Sequence, residues 1–160
     1  MLEAIVAVYG DWGIGADGTQ PVVVTADRKY FREVTGGSTV IVGRKTLADF
    51  PGGRPLPKRR NIVLTRQNIS VEGAEVAHTP AEAVALAGDE RCFVIGGESV
   101  YKALLPEIGR VYVTKVDCTP RADAFFPNLD ADPAWRVADE GVAATDENGV
   151  GYRFMVYERG

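Results

Sequence analysis

The sequence predicts an α/β fold organised on one sheet, parallel for much of its length. Three observations carry that reading. Runs rich in valine and isoleucine recur at 4–9 (AIVAVY), 39–43 (TVIVG), 61–65 (NIVLT), 92–96 (CFVIG) and 110–116 (RVYVTKV), as expected of strands. Segments with helical spacing lie between them, and strands alternating with helices favour a parallel sheet. The chain has 160 residues, 46% hydrophobic and 25% charged, the size and mix of one ordinary globular domain.

The elements follow in order. After the first strand, Thr25 is a suitable N-cap for TADRKYFREV, where Tyr30, Phe31 and Val34 fall at i, i+1 and i+4. TVIVGRKTL reads as a strand turning directly into a helix. Pro80 opens the helical AEAVALA, and beyond Gly97 the residues Val100, Tyr101, Leu104 and Leu105 repeat the helical spacing. WRVADEGV and YRFMVYE, joined by the turn-rich TDENGVG, read as an antiparallel hairpin that finishes the sheet. No repeat, low-complexity run or linker interrupts the chain, so one domain over 1–160 is expected.

Composition narrows the function. A net charge of −4 argues against nucleic-acid or membrane binding, both of which draw on excess positive charge. No apolar run approaches the ~20 residues of a membrane span. The start MLEAIVAVYG lacks the basic region of a signal peptide. Cys92 and Cys118 have neither metal spacing nor the density of a secreted scaffold, so a cytoplasmic protein without a metal is expected. Charge is uneven, however. Between Arg44 and Arg66 lie Arg44, Lys45, Arg54, Lys58, Arg59, Arg60 and Arg66, against Asp49 as the sole acid. Such a cluster is either a solvated loop or a seat for a small polyanion.

Residues 13–18, GIGADG, match the letters of the dinucleotide motif G-x-G-x-x-G. The motif needs a helix immediately after its glycines, so that the helix N-terminus faces the phosphates. Here TQPVVVT follows, with a proline and β-branched residues, and the next helix starts only at Thr25. The second strand also ends in Arg44 and Lys45, where an NAD enzyme would carry an acid. The segment therefore reads as a flexible loop. Stronger phosphate sites lie at the strand ends TVIVGRKT, NIVLTRQ and CFVIGGESV, which offer backbone N–H groups, hydroxyls and cations. Their basic character favours NADPH.

Asp27 falls in the first turn of its helix, three and four residues before Tyr30 and Phe31. Two readings stand. The carboxylate complements the helix dipole, or it is partly buried, binds an amidine-like ligand edge and influences proton transfer. His78, the sole histidine, sits in AHTP and reads as a surface residue, so no Ser-His or Cys-His nucleophile can be assembled around it.

Taken together, AIVAVYGDWGIG, Asp27 with Phe31, TVIVGRKT, FPGGRPLPKRRNIVLT, FVIGGESVY, VYVTKVD and FFP at 125–127 resemble the dihydrofolate reductase family over essentially the whole chain. The resemblance implies a three-layer sandwich: a central eight-stranded, mostly parallel sheet with an antiparallel C-terminal strand, flanked by about four helices. It implies reduction of dihydrofolate to tetrahydrofolate with NADPH in one-carbon metabolism, sensitivity to antifolates such as methotrexate or trimethoprim, and a monomer. Asp27 would bind the pterin and favour protonation at N5, with Thr114 beside it. Ile5, Ala7, Phe31, Phe50, Leu56, Ile95 and Tyr101 would line the substrate pocket, and Arg59 would pair with the α-carboxylate. Gly43, Arg44, Lys45 and Thr46 would meet cofactor phosphates, and Leu64, Thr65 and Arg66 the adenosine 2′-phosphate. The pyrophosphate turn would be Ile95, Gly96, Gly97, Glu98, Ser99, Val100 and Tyr101. Ala7 and Ile14 would border the nicotinamide, with GIGADG part of a mobile lid.

The chain departs from the family's pattern at three positions. Val22 replaces a tryptophan that commonly helps hold a water beside the carboxylate. Thr25 replaces a proline, and Arg28 replaces an apolar residue that touches the aminobenzoyl group. Trp12 reads as an exposed loop aromatic rather than a substitute for the missing tryptophan. Two rival functions remain at this level: a same-fold reductase of another heterocycle, such as a flavin-pathway pyrimidine, and a nucleotide-binding module without catalysis.

Overall fold

The structure is a computed structural model describing residues 2–160. Its strands are β1 (Leu2–Val8), β2 (Gly13–Gly15), β3 (Thr39–Gly43), β4 (Arg60–Leu64), β5 (Glu75–Ala77), β6 (Cys92–Val94), β7 (Ile108–Val116), β8 (Ala124–Phe125), β9 (Trp135–Glu140), β10 (Ala144–Thr145) and β11 (Gly151–Arg159). The helices are α1 (Thr25–Thr35), α2 (Arg44–Ala48), α3 (Pro80–Ala87) and α4 (Glu98–Leu104).

The main sheet runs β10-β11-β7-β1-β6-β3-β4-β5, with β9 also paired to β11. Every pairing from β5 across to β7 is parallel. β11 lies antiparallel to β7, and β9 and β10 share the far edge of β11. The eight-strand path with an antiparallel C-terminal strand agrees with the fold expected from the sequence.

The central strands β1, β3, β4 and β6 are near-continuous apolar runs because both faces are covered. Side chains alternate between two cores. Ala4, Val6, Ile41, Ile62, Val94, Val111 and Val113 face Ala83 and Ala87 of α3 and Val100 and Leu104 of α4. Ile5, Val40, Val42, Val63, Phe93 and Tyr112 face Tyr30, Phe31 and Val34 of α1 and Leu47 of α2. The helix that carries Asp27 packs on this second face.

Two local expectations fail. Thr25 is not the N-cap of α1: Val24 occupies that position without a side-chain cap, and the Thr25 hydroxyl donates to Glu147 Oε1 at 2.9 Å. Trp12 is not an exposed aromatic. It is 6% exposed, stacked on Phe126 and set edge-on to Tyr157, with Lys115 Nζ 5.2 Å from its ring centroid. A large aromatic surface beside an apolar core is withdrawn from water even when its neighbours in sequence are loop glycines.

Candidate active site

Asp27 occupies the first turn of α1, and its N–H donates to the Val24 carbonyl at 3.0 Å. Its Oδ1 accepts a hydrogen bond from the Thr114 hydroxyl at 2.6 Å. Thr114 lies in the middle of β7, paired with Ala7 on one side and Phe154 on the other, and is fully buried. The sheet thus presents a hydroxyl to the helix at one fixed point. Burial pushes the Asp27 carboxyl above its ordinary value, while the Thr114 bond and the Arg28 charge pull it down. A desolvated carboxylate joined to a neutral donor is suited to holding a protonated or amidine-like group. Of the two readings left open for Asp27, the burial and the Thr114 bond favour the ligand-binding one.

The apolar residues predicted for the substrate pocket come together around that carboxylate's helix. Ile5 and Ile95 belong to the second core, with Phe31, Phe50 and Leu56 half-buried against it. Ala7 follows Ile5 on the same face of β1. Arg59 is placed by three contacts. Its Nε donates to Thr35 Oγ1 at 2.9 Å, its Nη1 donates to the Pro57 carbonyl at 2.8 Å, and its Cζ lies 5.8 Å from the Phe31 ring centroid. Burial and the neighbouring Arg32 lower its pKa, so a carboxylate partner would relieve an electrostatic cost. Arg28 is exposed on α1.

The second group of predicted residues gathers where strands end. The Gly43 N–H donates to the Gly96 carbonyl at 2.8 Å, which ties the β3–α2 turn to the β6–α4 turn. These turns are too close for side chains. A Cβ on Gly43 would lie 2.9 Å from Val100 Cγ2, and one on Gly97 would lie 2.9 Å from Thr46 Oγ1. Gly96 has φ +128°, and the Gly96-Gly97 peptide is cis. The result is a glycine-lined cradle flanked by exposed Arg44, Lys45 and Ser99, with half-buried Thr65 and exposed Arg66 at the end of β4. Leu64 packs into the first core. Bare backbone, hydroxyls and free cations fit the phosphates of a dinucleotide. Tyr101 joins the two groups, its hydroxyl donating to the Ile5 carbonyl at 2.7 Å.

Not every predicted residue is free for this task. The Glu98 carboxylate accepts the Phe125 N–H at 2.7 Å and faces Lys102 at 3.7 Å. Arg60, from the basic cluster, pairs with Glu75 and Glu90. The cations available to a polyanion in this cluster are therefore fewer than the sequence suggests. Ile14 is half-buried against the first core. Gly13 to Gly15 form β2, a strand paired with β8. The glycines there serve close packing, since a Cβ on Gly13 would lie 2.7 Å from Ala122 Cβ. His78 is exposed, as the sequence predicts. Sequence reasoning missed Tyr9, whose hydroxyl meets both backbone groups of Val22; a tyrosine closing an otherwise aliphatic strand was the available signal.

A mainly parallel sheet with a glycine-lined cradle at its strand ends and one half-buried carboxylate beside an apolar cluster fits a nucleotide-dependent enzyme acting on a small molecule. Comparison with known proteins makes this specific. The family model for dihydrofolate reductase matches residues 1–159. The dihydrofolate reductase of Staphylococcus haemolyticus is 36% identical over 160 residues, covering 99% of this chain and 95% of that protein. That of Mycobacterium tuberculosis is 40% identical over 151 residues, covering 91% and 90%. A solved structure of the Enterococcus faecalis enzyme, complexed with NADP(H) and RAB-propyl, superimposes with a TM-score of 0.88 at 34% identity, covering 99% of this chain and 96% of that one. The chain belongs to the dihydrofolate reductase family.

Proposed function

We propose that this chain reduces 7,8-dihydrofolate to 5,6,7,8-tetrahydrofolate with NADPH, and that Asp27 is the carboxylate on which turnover depends. The observation that carries the reading is the Asp27–Thr114 pair, at 2.6 Å, set in desolvated surroundings beside the cluster of Ile5, Phe31, Phe50, Leu56 and Ile95. NADPH, when bound, supplies a hydride from nicotinamide C4 to pterin C6. The protein's residues do the rest. Asp27 holds the amino group and ring nitrogen of the pterin and favours the proton at N5. Thr114 fixes the carboxylate's orientation. The apolar cluster orients the ring and excludes water, which strengthens every charge interaction inside. Arg59 receives the α-carboxylate of the glutamate tail in bidentate fashion.

Gly43, Arg44, Lys45, Thr46, Gly96, Gly97, Ser99 and Val100 hold the pyrophosphate, and Thr65 and Arg66 the 2′-phosphate. Ala7 and Ile14 border the nicotinamide. The protein works as a monomer of one domain and binds antifolates such as methotrexate in the pterin pocket. A cytoplasmic location is supported by two free cysteines; burial pushes the Cys92 thiol up to about 12. Among the described residues no helix is long and apolar enough to cross a membrane.

The test mixes protein and NADPH with and without dihydrofolate and follows loss of the reduced-nicotinamide absorbance. Loss that requires dihydrofolate and is stopped by methotrexate supports the reading. NADPH binding without turnover points to a non-catalytic module, and turnover with a pyrimidine alone to the other heterocycle.

A further inference from the structure

The helix that carries Asp27 follows the N-cap Val24, which makes no side-chain cap, and its position is held from outside. The Tyr9 hydroxyl donates to the Val22 carbonyl at 2.7 Å and accepts the Val22 N–H at 3.0 Å. One phenol thereby satisfies both backbone groups of a residue that lies in no strand or helix. The Tyr9 side chain is buried with Val24 and Val116, and Val22 and Ala26 pack on the same cluster. Val24 in turn accepts the Asp27 N–H at 3.0 Å. A continuous path of contacts therefore runs from the end of β1 through the 22–24 segment to the carboxylate's own backbone. The other tie at this helix start, Thr25 to Glu147, is exposed.

We propose that Tyr9 is a positioning residue for the reaction: its hydroxyl pins the 22–24 segment and so keeps the surroundings of the Asp27 carboxyl fixed and poor in water. The proposal rests on the role given to Asp27 above. Thr114 of β7 bonds Asp27 directly, and the groups electrostatically coupled to it are Arg28 and Tyr30 on its own helix, Tyr9 just beyond β1 and Tyr101 from α4. Burial raises all three phenols, so none carries charge near neutral pH. The carboxyl's affinity for its proton is then set by desolvation on one side and by Thr114 and Arg28 on the other. Without the Tyr9 hydroxyl, the Val22 N–H and carbonyl must find water instead. Water drawn to that segment would solvate the carboxylate and release its proton at lower pH.

The experiment uses Tyr9→Phe, which deletes one oxygen and retains the ring's packing, with circular dichroism to check the fold. The Asp27 side-chain carboxyl is titrated by carbon-13 NMR in both proteins, and dihydrofolate turnover with NADPH is followed against pH in wild type, Tyr9→Phe and Asp27→Asn. The expected midpoint in Tyr9→Phe is lower by half a unit or more, with turnover at neutral pH about threefold or more below wild type and the low-pH plateau retained. An unshifted midpoint, or a turnover loss equal at every pH, overturns the Tyr9 proposal. A wild-type pH profile in Asp27→Asn overturns the role given to Asp27, and with it the part of Tyr9 in turnover. A Thr25→Val control that shifts the midpoint as far as Tyr9→Phe also overturns it, because the pin would then not be specific.

Discussion

The two sides of the site are made of different material. The side of α1 uses side chains: a half-buried carboxylate, a threonine hydroxyl and an apolar cluster. The cradle side uses backbone: the tied turns at Gly43 and Gly96, with cations only at its rim. The difference matches two recognition problems. A flat heterocycle is recognised by shape and one ion pair, whereas phosphates are recognised by converging N–H groups and charge. Substitutions on the two sides should therefore separate substrate chemistry from cofactor affinity.

Asp27→Asn should break the first side alone. Turnover falls by ~100-fold or more, the range of a lost proton-linked group, while NADPH affinity measured by fluorescence stays within about twofold of wild type. The same variant gives a stability signature. Folding raises the Asp27 carboxyl above its ordinary value of 3.8, so between the unfolded and native values the native protein holds a proton that the unfolded chain has released. Stability from this group is full below the unfolded value and is lost as pH rises through the native one. Thermal unfolding of Asp27→Asn at neutral pH should come at the same or a higher temperature than wild type. A lower temperature would contradict the desolvation assigned to this group.

Gly96→Ala should break the other side. A φ of +128° is strained for any residue with a Cβ, by about 1–3 kcal/mol, and the strain falls on the turn that meets Gly43. NADPH affinity by titration should drop about tenfold or more, with methotrexate binding to the protein alone little changed. Equal losses for both ligands would dissolve the distinction between the two sides.

Two further substitutions should have smaller effects. Arg59→Ala should weaken glutamate-bearing folates by about tenfold, in line with ~1.5–3 kcal/mol for a charged hydrogen bond, and leave bare pterins nearly unaffected. Competition binding with both ligand types checks this. Gly18→Ala, at φ +83° with nothing within 4 Å of the added Cβ, should cost about 1 kcal/mol of stability and nothing in NADPH affinity, as chemical denaturation and titration would report.

The parts of the fold that were legible in the sequence are those whose signal is local. Continuous apolar strands announce a sheet covered on both faces, and Gly96-Gly97 between strand and helix announces a tight turn. GIGADG could be rejected as a phosphate loop because the helix such a loop requires is missing within the next few residues. The misreadings came from long-range contacts. Trp12 is buried by Phe126 and Tyr157, and the Thr25 hydroxyl is taken by Glu147, 122 positions away. Arg60 looked like one more cation for a polyanion until Glu75 and Glu90 met it across the sheet edge. Tyr9 went unnoticed for the same reason, since its partner Val22 offers only backbone atoms.

Direct transfer requires one protein surface to bring a nicotinamide and a dihydropterin together. It is tested most directly with NADPH carrying deuterium at nicotinamide C4, mixed with wild-type protein and dihydrofolate in a single turnover. The expected result is a slowed reaction with deuterium recovered at C6 of the tetrahydropterin. Deuterium lost to solvent, or NADPH oxidation that proceeds equally without dihydrofolate, would contradict it.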